Sequence, residues 1–146
     1  KGFEVIGIDF SKEMVTIAKE KVPTGDFRYM DMRRLDFPDN SFDSVFSAYS
    51  LIHIPSEEVR ATLQGFYRVL KVGGYVEIAV QKGDADKIIN EPFMPTEKMF
   101  FNFFTEERIS KFLEDAGFQI VSQDIMAIDD AETMSDKVIY TIAKKA

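Results

Sequence analysis

The sequence predicts an α/β domain built on a mostly parallel sheet, and two patterns carry that expectation. The first half alternates β-branched apolar runs with amphipathic segments at helical spacing, the order that yields parallel strands joined by helices. The end carries two successive strand-like runs joined by a short polar connector, which reads as an antiparallel hairpin closing one edge of the sheet. With 146 residues, 45% of them hydrophobic and 14 of them Phe, the chain is long enough for a single domain, 1–146, with a core of its own.

The first strand is expected at Phe3 to Ile8, "FEVIGI", an apolar run suited to cover on both faces. Ser11 then offers an N-cap oxygen. Met14, Val15, Ala18 and Val22 recur at helical spacing up to Pro23, which predicts a helix over Lys12 to Lys21. A second strand follows at Asp26 to Met30, and then a loop, "DMRRLDFPDN", whose Pro38, Asp39 and Asn40 are turn formers. Phe42 to Ala48, "FDSVFSA", is a third strand. Pro55 and Ser56 open the next helix, with Glu57 and Glu58 in the first turn, where the helix dipole favours negative charge. Val59, Leu63, Phe66, Tyr67 and Leu70 form its apolar stripe, "KVGG" ends it, and Tyr75 to Val80 is a fourth buried strand. Residues 82–104 break the alternation. Pro92, Pro95 and five Phe without a period read as an irregular covering segment, or lid, with one short helix. Thr105 as N-cap, with Glu106 and Glu107 behind it, starts a last helix that ends at Gly117. Strands at Phe118 to Ala127 and Lys137 to Ala143 complete the chain, with "DDAETMSD" between them.

Composition narrows the function. A net charge of −7, carried by dispersed acids, argues against a broad basic face for nucleic acid or anionic lipid. Without Cys there are no disulfides, thiolate metal sites or thiol nucleophiles, and His53 alone cannot build a multi-histidine metal centre, so no metal site is expected. No apolar run approaches the roughly 20 residues that cross a bilayer. No secretory segment opens the chain, and a cytoplasmic location is the default expectation. Residue 1 is Lys where translation starts at Met, so the chain is expected to be processed or trimmed at its start.

Several residues could carry chemistry, each with two readings. Asp9 stands at the carboxyl end of a strand and before a helix, where an open parallel sheet presents ligands. Its carboxylate either accepts from both ribose hydroxyls of a nucleoside or simply initiates the helix. Asp31, after the second strand, is either an adenine-facing acid or a loop carboxylate. Phe10 either lies against a flat base or fills the core, the commoner use of a lone Phe. His53 is either a base near a substrate or a packed, hydrogen-bonded imidazole.

The combination of segments is more informative. In order, "VIGIDFSKEMVTIAKE", "DFRYMDMRRLDFPDNSFDSVFSAYSLIHIP", "RVLKVGGYVEIAV" and "FFTEERISKFLEDAGFQIV" make residues Gly2 to Val121 resemble a class I S-adenosylmethionine-dependent methyltransferase of the small-molecule group, with its Rossmann-like core. The resemblance implies that Asp9 binds the ribose hydroxyls of S-adenosylmethionine and that Phe10 packs near the adenine. It implies that Asp31 accepts from the adenine amino group while the Met32 N–H meets a ring nitrogen. Ser47, Ala48 and Tyr49 then end the strand that passes beside the methionine portion, and His53 sits in "LIHIP", where the family often carries His.

The resemblance also exposes a departure. The family begins with a strand and a Gly-rich "GxGxG" loop, and no such sequence occurs here. In the family's sheet that strand lies between the strands expected at Phe3 to Ile8 and Phe42 to Ala48, so an N-terminally truncated core would have two strand edges facing a gap. The two strands then pair directly, a neighbouring chain fills the gap as a homodimer, or an upstream segment occupies it. The expectation is methyl transfer to a small-molecule acceptor in the intact protein, with this chain a fragment that binds cofactor weakly or not at all. A non-enzymatic interaction module using the segment Phe93 to Phe104 is the alternative. A nicotinamide-dependent oxidoreductase shares the acid after the strand but explains neither "RVLKVGGY" nor the final hairpin.

Overall fold

The structure, a computed structural model, describes residues 2–84, 86–90, 98–127 and 136–146. It comprises two compact units, Lys1–Phe37 and Pro38–Ala146.

In the first unit, β1 (Ile6–Asp9) and β2 (Asp26–Tyr29) are parallel and joined by α1 (Lys12–Lys21). Helix α1 has its predicted bounds because both of its ends are written locally. Ser11 Oγ accepts from the Met14 N–H at 3.2 Å, and Val22 N–H closes the last turn on Ala18 O just before Pro23, whose ring cannot continue a helix. Strand β1 starts three residues later than expected, and Phe3 and Val5 are exposed. The reason is the register: Ile6 pairs with Asp26, the first residue of β2, so the residues before Ile6 have no ladder partner. The expected double cover is also corrected, since Ile6 to Ile8 are half-buried and β1 is paired on one edge only among the described residues.

The second unit holds a four-stranded sheet in the order β3 (Phe42–Ala48), β4 (Leu70–Gln81), β8 (Lys137–Lys145), β7 (Phe118–Ala127). Strands β3 and β4 are parallel. The final pair forms the expected antiparallel hairpin, with β8 inside and β7 at the edge. Two helices, α2 (Ser56–Val69) and α3 (Glu106–Asp115), supply the cover. Their buried Val59, Leu63, Phe66, Ile109 and Leu113 form the core with Val76, Ile78 and Val80, alternate residues of β4. On the opposite side of the sheet Phe46, Tyr75 and Met126 are exposed, while Ala79 and Val138 are buried.

Strand β4 begins earlier than its hydrophobic run suggests. Leu70 already pairs with Phe42, and the register then slips before Ser44 meets Tyr75. "KVGG" is therefore an irregularity inside a strand and not the tail of α2. Gly74 fits there because a Cβ would come within 2.9 Å of the carbonyl oxygens of Asp43 and Lys71.

The covering segment differs from expectation. Its described part forms two short antiparallel strands, β5 (Lys87–Asn90) and β6 (Lys98–Phe101). "KIIN" and "KMFF" are β-branched and aromatic enough to pair, a local signal that the intervening prolines obscure. Residues 91–97, on which part of that reading and of the Phe93 to Phe104 surface falls, lie outside the described residues, as does most of "DDAETMSD".

Candidate functional site

The first unit gathers Asp9, Phe10, Asp31 and Met32 at the carboxyl ends of its two parallel strands. Asp9 is the last residue of β1 and pairs with Tyr29, and Met30 N–H donates to Asp9 O at 3.0 Å, which brings the segment after β2 alongside the β1 turn. One oxygen of the Asp9 carboxylate, Oδ1, accepts from Ser11 N–H at 2.7 Å. That bond is the helix-initiating role foreseen for Asp9, and the residue is otherwise exposed.

Phe10 is not a core residue. Its ring is 62% exposed and stacks on Tyr29, itself 51% exposed, at 5.9 Å and 27°. Lys12 Nζ lies 5.2 Å from the Tyr29 ring centre. Two solvent-facing aromatic rings beside an oriented carboxylate make a platform for a flat heterocycle joined to a diol. Tyr29 was not singled out from sequence, although its place one strand across from Asp9 follows once the register is known.

Asp31 is held differently. Arg33 donates to it from its backbone N–H at 2.9 Å, from Nε at 3.0 Å and from Nη2 at 2.7 Å, a bidentate clamp that engages both carboxylate oxygens. The Arg33 side-chain hydrogen bonds, ahead of any charge effect, hold the Asp31 carboxyl below its ordinary range. As it stands, this carboxylate serves the loop, and an adenine amino group would have to share it with Arg33. The Met32 N–H has no hydrogen-bond partner among the described residues.

The second unit gathers Ser47, Ala48, Tyr49 and His53 at the carboxyl end of β3. Ala48 closes the ladder opposite Ala79, and Tyr49 N–H still donates to Ala79 O at 2.9 Å. Tyr49 then turns into the left-handed region, φ 54°, a strained conformation for a bulky side chain. The chain so redirected enters the 3-10 turn Leu51–His53. Ser47 is buried, and its hydroxyl oxygen has no partner among the described residues. His53 is exposed between buried Ile52 and Ile54. Its Nδ1 lies 3.3 Å from Phe100 O of β6, and its ring meets Phe101 edge-on at 5.0 Å.

A concavity of about 620 Å³ lies elsewhere in this unit, on the side of the sheet away from α2 and α3 and lined by Glu77, Asp124, Met126 and Tyr140 among others. None of the named site residues lines it. The carboxyl ends of the parallel strands are the better guide to function, because that is where loops and helix starts converge. No cluster of three or more metal-ligating side chains occurs among the described residues, and none of their helices is long and apolar enough to cross a membrane.

Parallel β1–β2 and β3–β4 pairs, an acid and an aromatic ring at the end of β1, and a closing antiparallel hairpin define the class I S-adenosylmethionine-dependent methyltransferase fold. A solved S-adenosylmethionine-dependent methyltransferase from Methanosarcina mazei superposes with a TM-score of 0.88 at 19% identity, over 99% of this chain and 82% of that one. Residues 1–74 match the family model described as a methyltransferase domain, and the chain belongs to that family. It is similar to a phosphatidylethanolamine N-methyltransferase of Cereibacter sphaeroides, 41% identical over 80 residues that make up 51% of this chain and 38% of that protein. It is also similar to a demethylmenaquinone methyltransferase of Listeria welshimeri, 33% identical over 105 residues, 68% of this chain and 40% of that one. The chain thus spans about two-fifths of the length of the curated relatives it matches. S-adenosylmethionine is the cofactor of this class.

Proposed function

We propose that the protein transfers a methyl group from S-adenosylmethionine to a small-molecule acceptor. The observation that carries this reading is the exposed Phe10–Tyr29 stack beside the oriented Asp9 carboxylate, in a chain of the methyltransferase-domain family. Asp9 accepts the ribose hydroxyls through its carboxylate, Phe10 carries the adenine, and the Met32 N–H donates to a ring nitrogen. Asp31 accepts from the adenine amino group once Arg33 yields one of its contacts. Ser47, Ala48 and Tyr49 are the residues for the methionine portion, and His53 takes the proton that the acceptor releases. When bound, S-adenosylmethionine supplies a methyl group on a sulfonium, electrophilic enough that orientation accounts for much of the acceleration. A small acceptor agrees with the names of both relatives.

No Gly-rich "GxGxG" stretch occurs in the sequence to cradle the methionine portion, so the affinity of this chain is weak, with Kd above about 0.1 mM, roughly −5 kcal/mol or less favourable. Titration with S-adenosylhomocysteine, followed by amide chemical shifts, is expected to move Phe10, Tyr29 and Met32 and to lose that response in Asp9→Ala. Low-micromolar affinity by calorimetry would overturn the weak-binding part, and saturating ligand that moves none of these amides would overturn the site. A homodimer through the strand edges of β1 or β3 belongs to the same proposal.

A second reading, an interaction module without chemistry that uses Phe93 to Phe104, draws less support, since Phe101, Phe103 and Phe104 are buried. Asp9→Ala separates the two, since partner binding through that segment is indifferent to the Asp9 carboxylate.

A further inference from the structure

We infer that Asn102 is a positioning residue that, together with the main chain of β6, holds His53 as the Nδ1–H tautomer with its Nε2 lone pair free to accept a proton. The inference rests on the reading of His53 as the group that takes the acceptor's proton, although the tautomer itself can be measured without any substrate.

Asn102 follows β6 in the Phe-rich covering segment and is completely buried, an unusual place for a carboxamide. Its contacts account for it. The Asn102 N–H donates to Ile52 O at 2.7 Å and its Nδ2 donates to Ile54 O at 2.9 Å. Those two carbonyls lie immediately before and immediately after His53. One residue therefore grips the backbone on both sides of the imidazole, while Leu51, Ile52 and Ile54 are buried around it. The amide orientation is settled by the partner, because a carbonyl oxygen requires the NH2 end to face it. Oδ1 is then turned away and has no partner among the described residues.

The same logic sets the ring. Phe100 O can only accept, so the contact with His53 Nδ1 at 3.3 Å requires the proton to sit on Nδ1. The edge-on contact with Phe101 limits rotation of the ring away from that carbonyl. An unconstrained histidine favours the other tautomer, so the hold must come from this surrounding segment. With Nδ1 committed, Nε2 carries the lone pair and the side chain is exposed.

The step this arrangement serves balances simply. A bond forms between the acceptor atom and the methyl carbon, the carbon–sulfur bond breaks with its electron pair passing to sulfur, and the acceptor's proton passes to Nε2. The resulting imidazolium keeps its Nδ1–H on Phe100 O. This favours acceptors whose attacking atom bears a proton, an O–H or N–H group.

His53 is the only histidine in the chain, so long-range proton–nitrogen correlation spectra of the intact protein contain one imidazole. Well above the imidazole titration range, the wild type is expected to show a protonated Nδ1 and a pyridine-like Nε2. Asn102→Ala, with Asn102→Ser as a second variant should the first not fold, is expected to shift this pattern toward the Nε2–H form. A wild-type spectrum with Nε2 protonated would overturn the inference, and so would a folded Asn102 variant with an unchanged pattern. Failure of the cofactor titration would leave these spectra unaffected, so the two ideas fail separately.

Discussion

At the scale of the residue, the two acids of the first unit show how far a carboxylate can be read from its neighbours in sequence. Asp9 was legible because strand, acid and capped helix follow one another, and the structure needs only that local order to turn Oδ1 onto Ser11 N–H. The clamp on Asp31 was less legible, since nothing in "DMRR" says which Arg folds back. Arg33 lowers the Asp31 carboxyl below the ordinary value of about 3.9. The folded form therefore gains stability that is present above that value and is lost as pH falls through the lower folded one. Arg33→Gln should return the Asp31 carboxyl to the ordinary range in a carbon-detected pH titration. The same variant should tighten S-adenosylhomocysteine binding a few-fold if the carboxylate serves adenine, whereas unchanged affinity would assign Asp31 to the loop alone. Tyr29 and Asn102 were beyond reach of the sequence for one reason: their roles depend on partners in register or across the fold, Asp9 for one and the turn around His53 for the other.

Elements were legible where their ends are local and illegible where tertiary partners decide them. Helix α1 and strand β7 have the bounds that caps, proline and hydrophobic runs predict. Strand β4 does not, because Leu70 is claimed by Phe42 across the sheet while still completing the apolar stripe of α2. The end of α2 is closed by a device no local pattern reveals. Lys145, only 8% exposed, sends Nζ to Tyr67 O at 2.8 Å, Leu70 O at 2.8 Å and Asn40 Oδ1 at 3.0 Å, and lies 4.7 Å from the centre of the Tyr67 ring. The ammonium serves carbonyls that a helix end leaves without intrahelical donors. Lys145→Met should cost about 1–3 kcal/mol by leaving these acceptors unpaired. A calorimetric scan should show this as a loss of about 2–4 °C per kcal/mol, and an unshifted Tm would rule the cap unimportant.

For the whole molecule, the question is what partners the strand edges of each unit offer. Within the first unit β1 bonds only β2, and within the second β3 bonds only β4, among the described residues. Strand edges of this kind invite a partner strand. The proposed homodimer predicts that light scattering at micromolar concentration returns twice the chain mass of 16.7 kDa, and a monomer at every concentration tested would remove it. The mixed exposure of the second side of the four-stranded sheet was not legible, because alternation along β3 and β4 looks the same whether or not that side is covered. One local feature, under the role proposed for Tyr49, sets stability against ligand binding. Tyr49 keeps a left-handed backbone that Gly would adopt freely, a strain of about 1 kcal/mol or more. Asn40, at the same φ of 54°, belongs to a residue type that tolerates it and serves as the internal control. Laboratory evolution for heat resistance alone should therefore drift to Gly at position 49. Selection for ligand retention should drift back to Tyr, so that opposing sequence preferences at a single codon would map the binding cleft without a bound complex.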